Sequence, residues 1–187
     1  MSRRLKQIPE KVSLLVAEKP SVARAVAQFL AQRAGRELSR TAGVSQYNPV
    51  FEFQYPFQST TQLFRVTSVS GHVMGTEFPA SVKDWNPDTI DELFKIDVVK
   101  QPLQAARGVL QNLHACTKGV DSLILWLDCD REGEAIAFDV LEHCREKNEN
   151  LEVHRAHFSA LTMQDVTNAM ENLTPPNKNM SDAVKVR

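Results

Sequence analysis

The chain has 187 residues, of which 42% are hydrophobic and 24% are charged, a composition typical of a folded globular domain and not of a disordered, collagen-like or disulfide-rich chain. The formal net charge is −1, so any binding to nucleic acid or to an acidic membrane must depend on a local cluster of charge. The three cysteines have no CxxC spacing, and no apolar run approaches the roughly 18 residues of a membrane span, which together predict a soluble intracellular protein with free thiols.

The first predicted unit is a strand, a tight turn and a helix. The almost wholly apolar run Val12–Glu18 predicts a strand that is covered on both faces. Pro20 suits the first turn of a helix, where its missing N–H group costs nothing. Apolar residues at positions 22, 26, 29 and 30 then lie on one helical face, and the helix is expected to end near Gly35.

The middle of the chain predicts two further strands and a helix. The alternating segment Phe51–Tyr55 and the run Leu63–Val69 are typical of strands, and the second leads into the tripeptide 70–72. Prolines and polar residues between 79 and 102 predict irregular connections. Apolar residues at helical spacing from 103 to 113 predict a helix.

The last third of the chain alternates strands and helices. Five consecutive apolar residues, Leu123–Leu127, predict a central parallel strand, and a largely apolar helix follows at 135–144. A strand around 151–158 and a helix near 162–173 come next. This order predicts an α/β domain whose mostly parallel sheet is flanked by helices.

The predicted elements also suggest a division of the chain. We expect residues 1–11 to form a flexible N-terminus and residues 12–174 to form the α/β domain. The segment 181–187 is typical of the opening of another helix and has no stop signal. Residues 175–187 are therefore expected to begin a following helical domain that is truncated here.

Acidic side chains follow two of the predicted strands at their carboxyl ends, where an open α/β sheet usually binds its ligands. Glu18 closes the first strand, and Asp128, Asp130 and Glu132 occupy alternate positions after the later strand. If that segment stays extended, these alternate side chains point to one side, roughly 7 Å apart. Crowded carboxylates repel each other, and Mg²⁺ prefers such hard oxygen ligands together with a substrate phosphate. The pattern therefore predicts a magnesium site for phosphoryl transfer.

Two other interpretations of these acids remain open at this point. Acidic runs of this kind are common on solvated loops. The sequence also fits part of an EF-hand calcium loop, because Asp128, Asp130, Glu132 and Gly133 would take loop positions 1, 3, 5 and 6, with Asp139 at position 12. A strand instead of a helix before the loop, and Asp instead of Glu at position 12, count against the EF-hand.

Two basic residues lie in similar positions. Lys19 follows Glu18 in the turn, where its ammonium could contact a phosphate, although a single lysine is more often merely solvated. His72 ends a predicted strand after Gly71, which allows the backbone to approach a ligand closely. A lone histidine is more often structural than catalytic, so neither residue identifies a site by itself.

Four motifs together resemble one known family. The segments Val16–Ser21, Thr67–His72, Trp126–Glu134 and Arg155–Ser159 resemble the N-terminal Toprim region, a Rossmann-like α/β domain, of type IA DNA topoisomerases. The resemblance is strongest to the eukaryotic topoisomerase III group, with the alpha form favoured over the beta form. It extends in order from residue 12 to the last residue, and 181–187 looks like the entry into the family's next, helical domain.

The resemblance implies a mechanism and roles for individual residues. The family's enzymes cut one DNA strand, hold its 5′ phosphate on a tyrosine, pass another strand and reseal, with Mg²⁺ and without ATP. Glu18 would move a proton to or from the ribose 3′ oxygen and help to hold the metal, and Lys19 would stabilise the transition-state phosphate. The remaining roles would be metal binding by Asp128, Asp130 and Glu132 and DNA contact by Arg131 and His72. The nucleophilic tyrosine would lie beyond residue 187, so the isolated chain is expected to be inactive.

The resemblance also implies partners and a location. Single-stranded DNA would be the substrate, a RecQ-type helicase and an OB-fold accessory protein would be partners, and the roles would be DNA repair and recombination. A monomer without membrane association is expected, in the nucleus or also in mitochondria. The main alternative is a Toprim-type metal-dependent nuclease or primase-like enzyme, for which the acids suffice without a tyrosine. A third possibility is a non-catalytic interaction module with a merely acidic surface.

Overall fold

The computed structural model describes residues 11–79 and 96–185, with only the backbone given for residue 185. The expectation of a flexible segment at 1–11 therefore lies almost wholly outside the described residues. The same is true of most of the irregular connection expected between 79 and 102. Within the described ranges, none of the helices is long and apolar enough to cross a lipid bilayer.

A six-stranded sheet forms the centre of the domain, in the order β2-β3-β4-β1-β7-β8. Neighbours from β4 to β8 run parallel, whereas β3 is antiparallel to both β2 and β4. A separate antiparallel pair is formed by β5 and β6. The mostly parallel sheet predicted from the sequence is thereby confirmed. The strands are β1 Val12–Ala17, β2 Ser39–Thr41, β3 Val50–Phe57, β4 Thr60–Ser68, β5 Met74–Glu77, β6 Val99–Pro102, β7 Ser122–Trp126 and β8 Glu152–Arg155.

Helices cover both faces of this sheet. In chain order they are α1 Pro20–Arg33, α2 Arg107–Thr117, α3 Arg131–Arg145, α4 Met163–Glu171 and α5 Lys178–Lys185. The apolar faces of α1 and α4 pack on one side of β1 and β7, and those of α2 and α3 pack on the other side. Successive residues of β1, such as Leu14 and Leu15, therefore enter different cores and are both fully buried. Burial on both faces explains why these strands are continuously apolar.

The strands that the sequence did not predict are short and exposed. All residues of β2 and β6 are exposed, and β5 contains no fully buried residue. Such strands have no alternation of apolar and polar residues, so the pattern that reveals a half-buried strand is missing. Strand β6, which pairs with β5, lies within the region 79–102 where irregular connections were expected.

The C-terminal helix forms as predicted and packs against α3. Its Ser181 is 2% exposed, so the packing includes at least one buried side chain. The assignment of 175–187 to the start of a following domain stays a prediction.

The position of β1 determines where the site can form. Its last residue, Ala17, pairs with Ser68 of β4 and with Trp126 of β7. The carboxyl ends of three parallel strands therefore meet at one edge of the sheet. The residues that follow these strands include Glu18, His72 and Asp128, so this edge collects the predicted polar groups.

Replacement of Phe64 by alanine tests the core on the side of the sheet that α1 and α4 cover. Phe64 is fully buried, and its ring centroid lies 4.9 Å from that of Tyr55 and 5.7 Å from those of Phe53 and Phe57. We expect Phe64→Ala to lower the free energy of unfolding by about 3–5 kcal/mol, measured by urea denaturation. The exposed Tyr47→Ala is the control and should change it by less than about 0.5 kcal/mol. Equal effects of the two changes would contradict the packing described here.

Candidate functional site: an acidic edge with a central lysine

The ammonium of Lys19 lies between two of the predicted acids. Its Nζ atom is 3.3 Å from Oε1 of Glu18 and 3.4 Å from Oδ2 of Asp128. The side chains of Lys19 and Asp128 are 58% and 44% exposed, whereas that of Glu18 is 14% exposed. The structure thus brings the ends of β1 and β7 together, as the sequence predicts, and places both carboxylates around one cationic group.

These contacts also alter the acidity of the lysine. The interaction with Glu18 contributes most, followed by that with Asp128, and together they raise the pKa of Lys19 above its ordinary value. The shift favours the charged form of the ammonium, and the exposure of the side chain leaves it accessible to an anion. Its position follows from the chain itself, because Lys19 is the extended residue before α1 and Pro20 begins that helix.

Asp130 is the N-cap residue of helix α3. Its Oδ1 atom accepts a hydrogen bond of 2.7 Å from the backbone N–H of Gly133, which is a typical N-terminal cap. The helix consequently starts at Arg131. The condition that the segment stays extended through Glu132 is not met, because the cap turns the chain into a helix after Asp130.

The same helix excludes the EF-hand. Residues 131–139 would have to form most of a calcium-binding loop, but they lie within the continuous helix Arg131–Arg145. The preceding element is strand β7 instead of a helix. Asp139, which would be loop position 12, is instead 7% exposed and contacts other side chains.

His72 lies beside a second group of charges. Its Nε2 atom is 3.9 Å from Oε1 of Glu132, and its Nδ1 atom is 3.5 Å from Oδ2 of Asp139. Lys100 of β6 is 2.7 Å from Asp139 on the other side. The preceding Gly71 has φ +88°, a conformation that favours glycine, and it turns the chain so that His72 can reach α3.

The predicted site residues are therefore brought to one edge but in two groups. Glu18 and Asp128 surround Lys19, whereas Glu132 faces His72 and its side chain is 71% exposed. Arg131 is exposed in the first turn of α3. Sequence reasoning did not identify Lys100, and it considered Asp139 only as position 12 of an EF-hand loop, because their contact with each other depends on the placement of β6 and α3.

The donor atoms at this edge fit magnesium in chemical type. Within the ranges 11–79 and 96–185, no three His, Cys, Asp or Glu side chains are grouped closely enough to hold a metal ion as they stand. Glu18 and Asp128 already share one cationic group, and carboxylate oxygens are the ligands that Mg²⁺ prefers. The two carboxylates around Lys19 are therefore the part of the predicted site that best fits a cation.

The comparisons with known proteins agree with this architecture. The profile of the Toprim domain family matches residues 13–161. The chain belongs to this family, the Toprim domain family. Over 93% of its length it is similar to DNA topoisomerase 3-alpha of Arabidopsis thaliana, at 40% identity, and of Homo sapiens, at 36% identity. It is also 36% identical to DNA topoisomerase 3-beta of Arabidopsis thaliana over 93% of the chain.

These relatives define the kind of Toprim region more closely. The identities support its assignment to the Toprim region of the type IA topoisomerase III group. The matched region covers 18%, 17% and 20% of those three relatives, so the chain spans about a fifth of their length. The Toprim resemblance stated from the four sequence motifs is confirmed.

A substitution at Gly133 tests how closely α3 approaches the end of β7. A Cβ atom on Gly133 would lie 2.1 Å from the backbone oxygen of Asp128, so the helix or the strand end would have to shift. We expect Gly133→Ala to destabilise the protein by about 1–3 kcal/mol in urea denaturation. It should also change the NMR shifts of residues 127–131.

Gly108→Ala in α2 is the matched control. The added Cβ atom would be 3.9 Å from the Cβ atom of Ser45, an ordinary contact. Alanine is the better helix former, so this change should be neutral or stabilise by up to about 1 kcal/mol. If Gly133→Ala also stabilises the protein, the close approach of α3 to Asp128 is wrong.

Proposed function

We propose that this chain supplies the metal-binding part of the catalytic centre of a type IA DNA topoisomerase. The observation that carries the proposal is the position of Lys19, whose ammonium lies within 3.4 Å of both Glu18 and Asp128. An exposed ammonium between two carboxylates provides, at one edge of the sheet, the charges that phosphoryl transfer requires. Such catalysis depends mainly on positioning and on charge stabilisation.

Each residue has a role in this proposal. The partly buried carboxylate of Glu18 transfers a proton to or from the 3′ oxygen, and the exposed ammonium of Lys19 contacts the phosphate. Arg131 and His72, at the start of α3 and after β4, contact the bound strand. Bound Mg²⁺, which neutralises phosphate charge, would be held by Glu18, Asp128, Asp130 and Glu132.

The partners follow from the same proposal. The substrate is single-stranded DNA, and the whole enzyme relaxes negative supercoils and resolves recombination intermediates in the nucleus or in mitochondria. A RecQ-type helicase and an OB-fold accessory protein are its proposed partners. The relatives named above are DNA topoisomerases, which supports DNA as the substrate class.

The first experiment measures magnesium binding. The double change Asp128→Asn and Asp130→Asn removes two charges but keeps the cap, because asparagine caps helices as well as aspartate does. For the unchanged chain, magnesium at ten times its dissociation constant should raise the free energy of unfolding by about 1.4 kcal/mol. The double variant should lose this increase.

Glu146→Gln together with Glu149→Gln is the control for charge. Both residues are exposed and lie just after the end of α3, away from the acidic edge at its start. This variant should therefore keep the magnesium response. An equal response in the Asp128 and Asp130 variant would place the bound ion elsewhere.

The second experiment asks whether this chain contains a nucleophile. Its only tyrosines are Tyr47 and Tyr55. Burial raises the pKa of Tyr55, which is 8% exposed, whereas Tyr47 is 71% exposed on the loop before β3. With end-labelled single-stranded DNA and magnesium, we expect residues 1–187 to give no covalent adduct on a denaturing gel and no relaxation of plasmid.

The longer enzyme that contains this region should relax plasmid with magnesium and without ATP. In that enzyme, Glu18→Ala should slow cleavage or resealing by on the order of 10²–10⁴-fold, the usual contribution of a positioned proton donor or acceptor. Full activity of this variant would remove Glu18 from the mechanism. An adduct formed by 1–187 and lost in Tyr47→Phe would assign the nucleophile to this chain, and magnesium-dependent nicking without an adduct would favour the nuclease.

A further inference from the structure

A buried ion pair lies directly behind the acidic edge. Nε of Arg155 in β8 is 2.9 Å from Oε2 of Glu134 in α3, and their side chains are 0% and 2% exposed. Buried charges are tolerated only where hydrogen bonds satisfy both groups. The partners of this pair therefore show which parts of the chain depend on it.

The remaining donors of Arg155 bind main-chain oxygens, two of which lie just beyond the end of β7. Its Nη1 atom donates to the carbonyl oxygens of Leu127, at 2.8 Å, and Ala156, at 2.7 Å. Its Nη2 atom donates to the carbonyl oxygen of Asp128, at 2.7 Å. Leu127 and Asp128 lie just beyond β7. The guanidinium therefore supplies main-chain hydrogen bonds where the strand has ended, including one at Asp128, a predicted metal ligand.

The other carboxylate oxygen of Glu134 reaches the C-terminal helix. Oε1 accepts a hydrogen bond from the backbone N–H of Asn177, the residue before α5. Asn177 in turn caps α5, because its Oδ1 atom accepts from the N–H of Met180. The Glu134 carboxylate therefore links the start of α5 to Arg155, which donates a hydrogen bond to the main chain of Asp128.

We propose that Arg155 and Glu134 are positioning residues for the metal-binding acids and that they couple the place of α5 to the main chain at Asp128. The coupling to metal rests on the function proposed above. A displacement of α5 would remove one of the two donors on Glu134, weaken the buried pair and loosen the strand end. A contact that shifts helix α5 therefore changes the backbone position of Asp128 at the acidic edge.

Two conservative changes separate positioning from simple loss of volume. Arg155→Lys keeps the charge, but an ammonium lacks the planar fork with which the guanidinium reaches Glu134 and several carbonyl oxygens at once. Glu134→Gln keeps the size, but an amide accepts at only one end, so either Arg155 or Asn177 meets an N–H group instead of an oxygen. Both variants should loosen the segment 127–133 and helix α5 together.

The control for these changes is Arg65→Lys. Arg65 also binds a carboxylate and a carbonyl oxygen, at 2.9 Å from Glu52 and 2.7 Å from the backbone of Cys116. It lies on β4, and neither of these contacts involves the acidic edge. It therefore reproduces the chemical change without touching the proposed coupling.

The first measurement is amide hydrogen exchange of the whole chain without metal. We expect Arg155→Lys and Glu134→Gln to accelerate exchange in 127–133 and in 177–185 by at least about tenfold, and Arg65→Lys to leave both unchanged. Unchanged exchange in either segment would overturn the coupling. If the variants do not fold, the unchanged chain decides: in low urea the two segments should open with the same free energy, and different opening energies would overturn the proposal.

The second measurement is magnesium titration followed by NMR shifts. Residues that orient metal ligands usually contribute about 10–100-fold to metal affinity, so both variants should bind magnesium at least about tenfold more weakly than Arg65→Lys. Equal affinity would overturn the positioning role. If the unchanged chain binds no magnesium at Asp128 and Asp130, the proposed function fails, whereas the exchange result still supports or overturns the coupling of α5.

Discussion

Parallel pairing of β1 with both β4 and β7 is the constraint on which the site depends. Parallel strands all end at the same edge of a sheet, and β1 lies between the other two. The carboxyl ends of β4, β1 and β7 are therefore next to each other. Glu18 and Asp128 would not follow neighbouring strand ends if β1 were not next to β7 or ran antiparallel to it.

Much of the fold could be predicted because the buried strands carry a strong signal. The apolar runs in β1 and β7 reflect burial on both faces. Glu18 and Asp128 follow the carboxyl ends of strands, which meet at one edge of a parallel sheet, and this is the edge where ligands usually bind. The short strands β2, β5 and β6 have no such signal because they are exposed. The alternation of side chains through Glu132 does not hold for a local reason, namely the cap that Asp130 provides for α3.

The ion pair of Arg155 and Glu134 could not have been predicted from sequence spacing. The two residues are separated by 21 positions and belong to different elements, and only the packed sheet brings them within 2.9 Å. Each was visible in the sequence as part of a motif, but their partnership is a property of the tertiary structure. Buried polar networks of this kind are satisfied only when every member is in place.

The lysine between the two carboxylates bears on how the domain would bind the metal ion proposed for it. Carboxylates that face each other without a counter-charge oppose folding, and some small domains fold only when a metal arrives. Here Lys19 supplies that counter-charge from within the chain, and the two cores on either side of the sheet are formed by apolar side chains. The fold is therefore expected to form without a metal, so that the ion proposed above could bind and dissociate without the chain folding or unfolding.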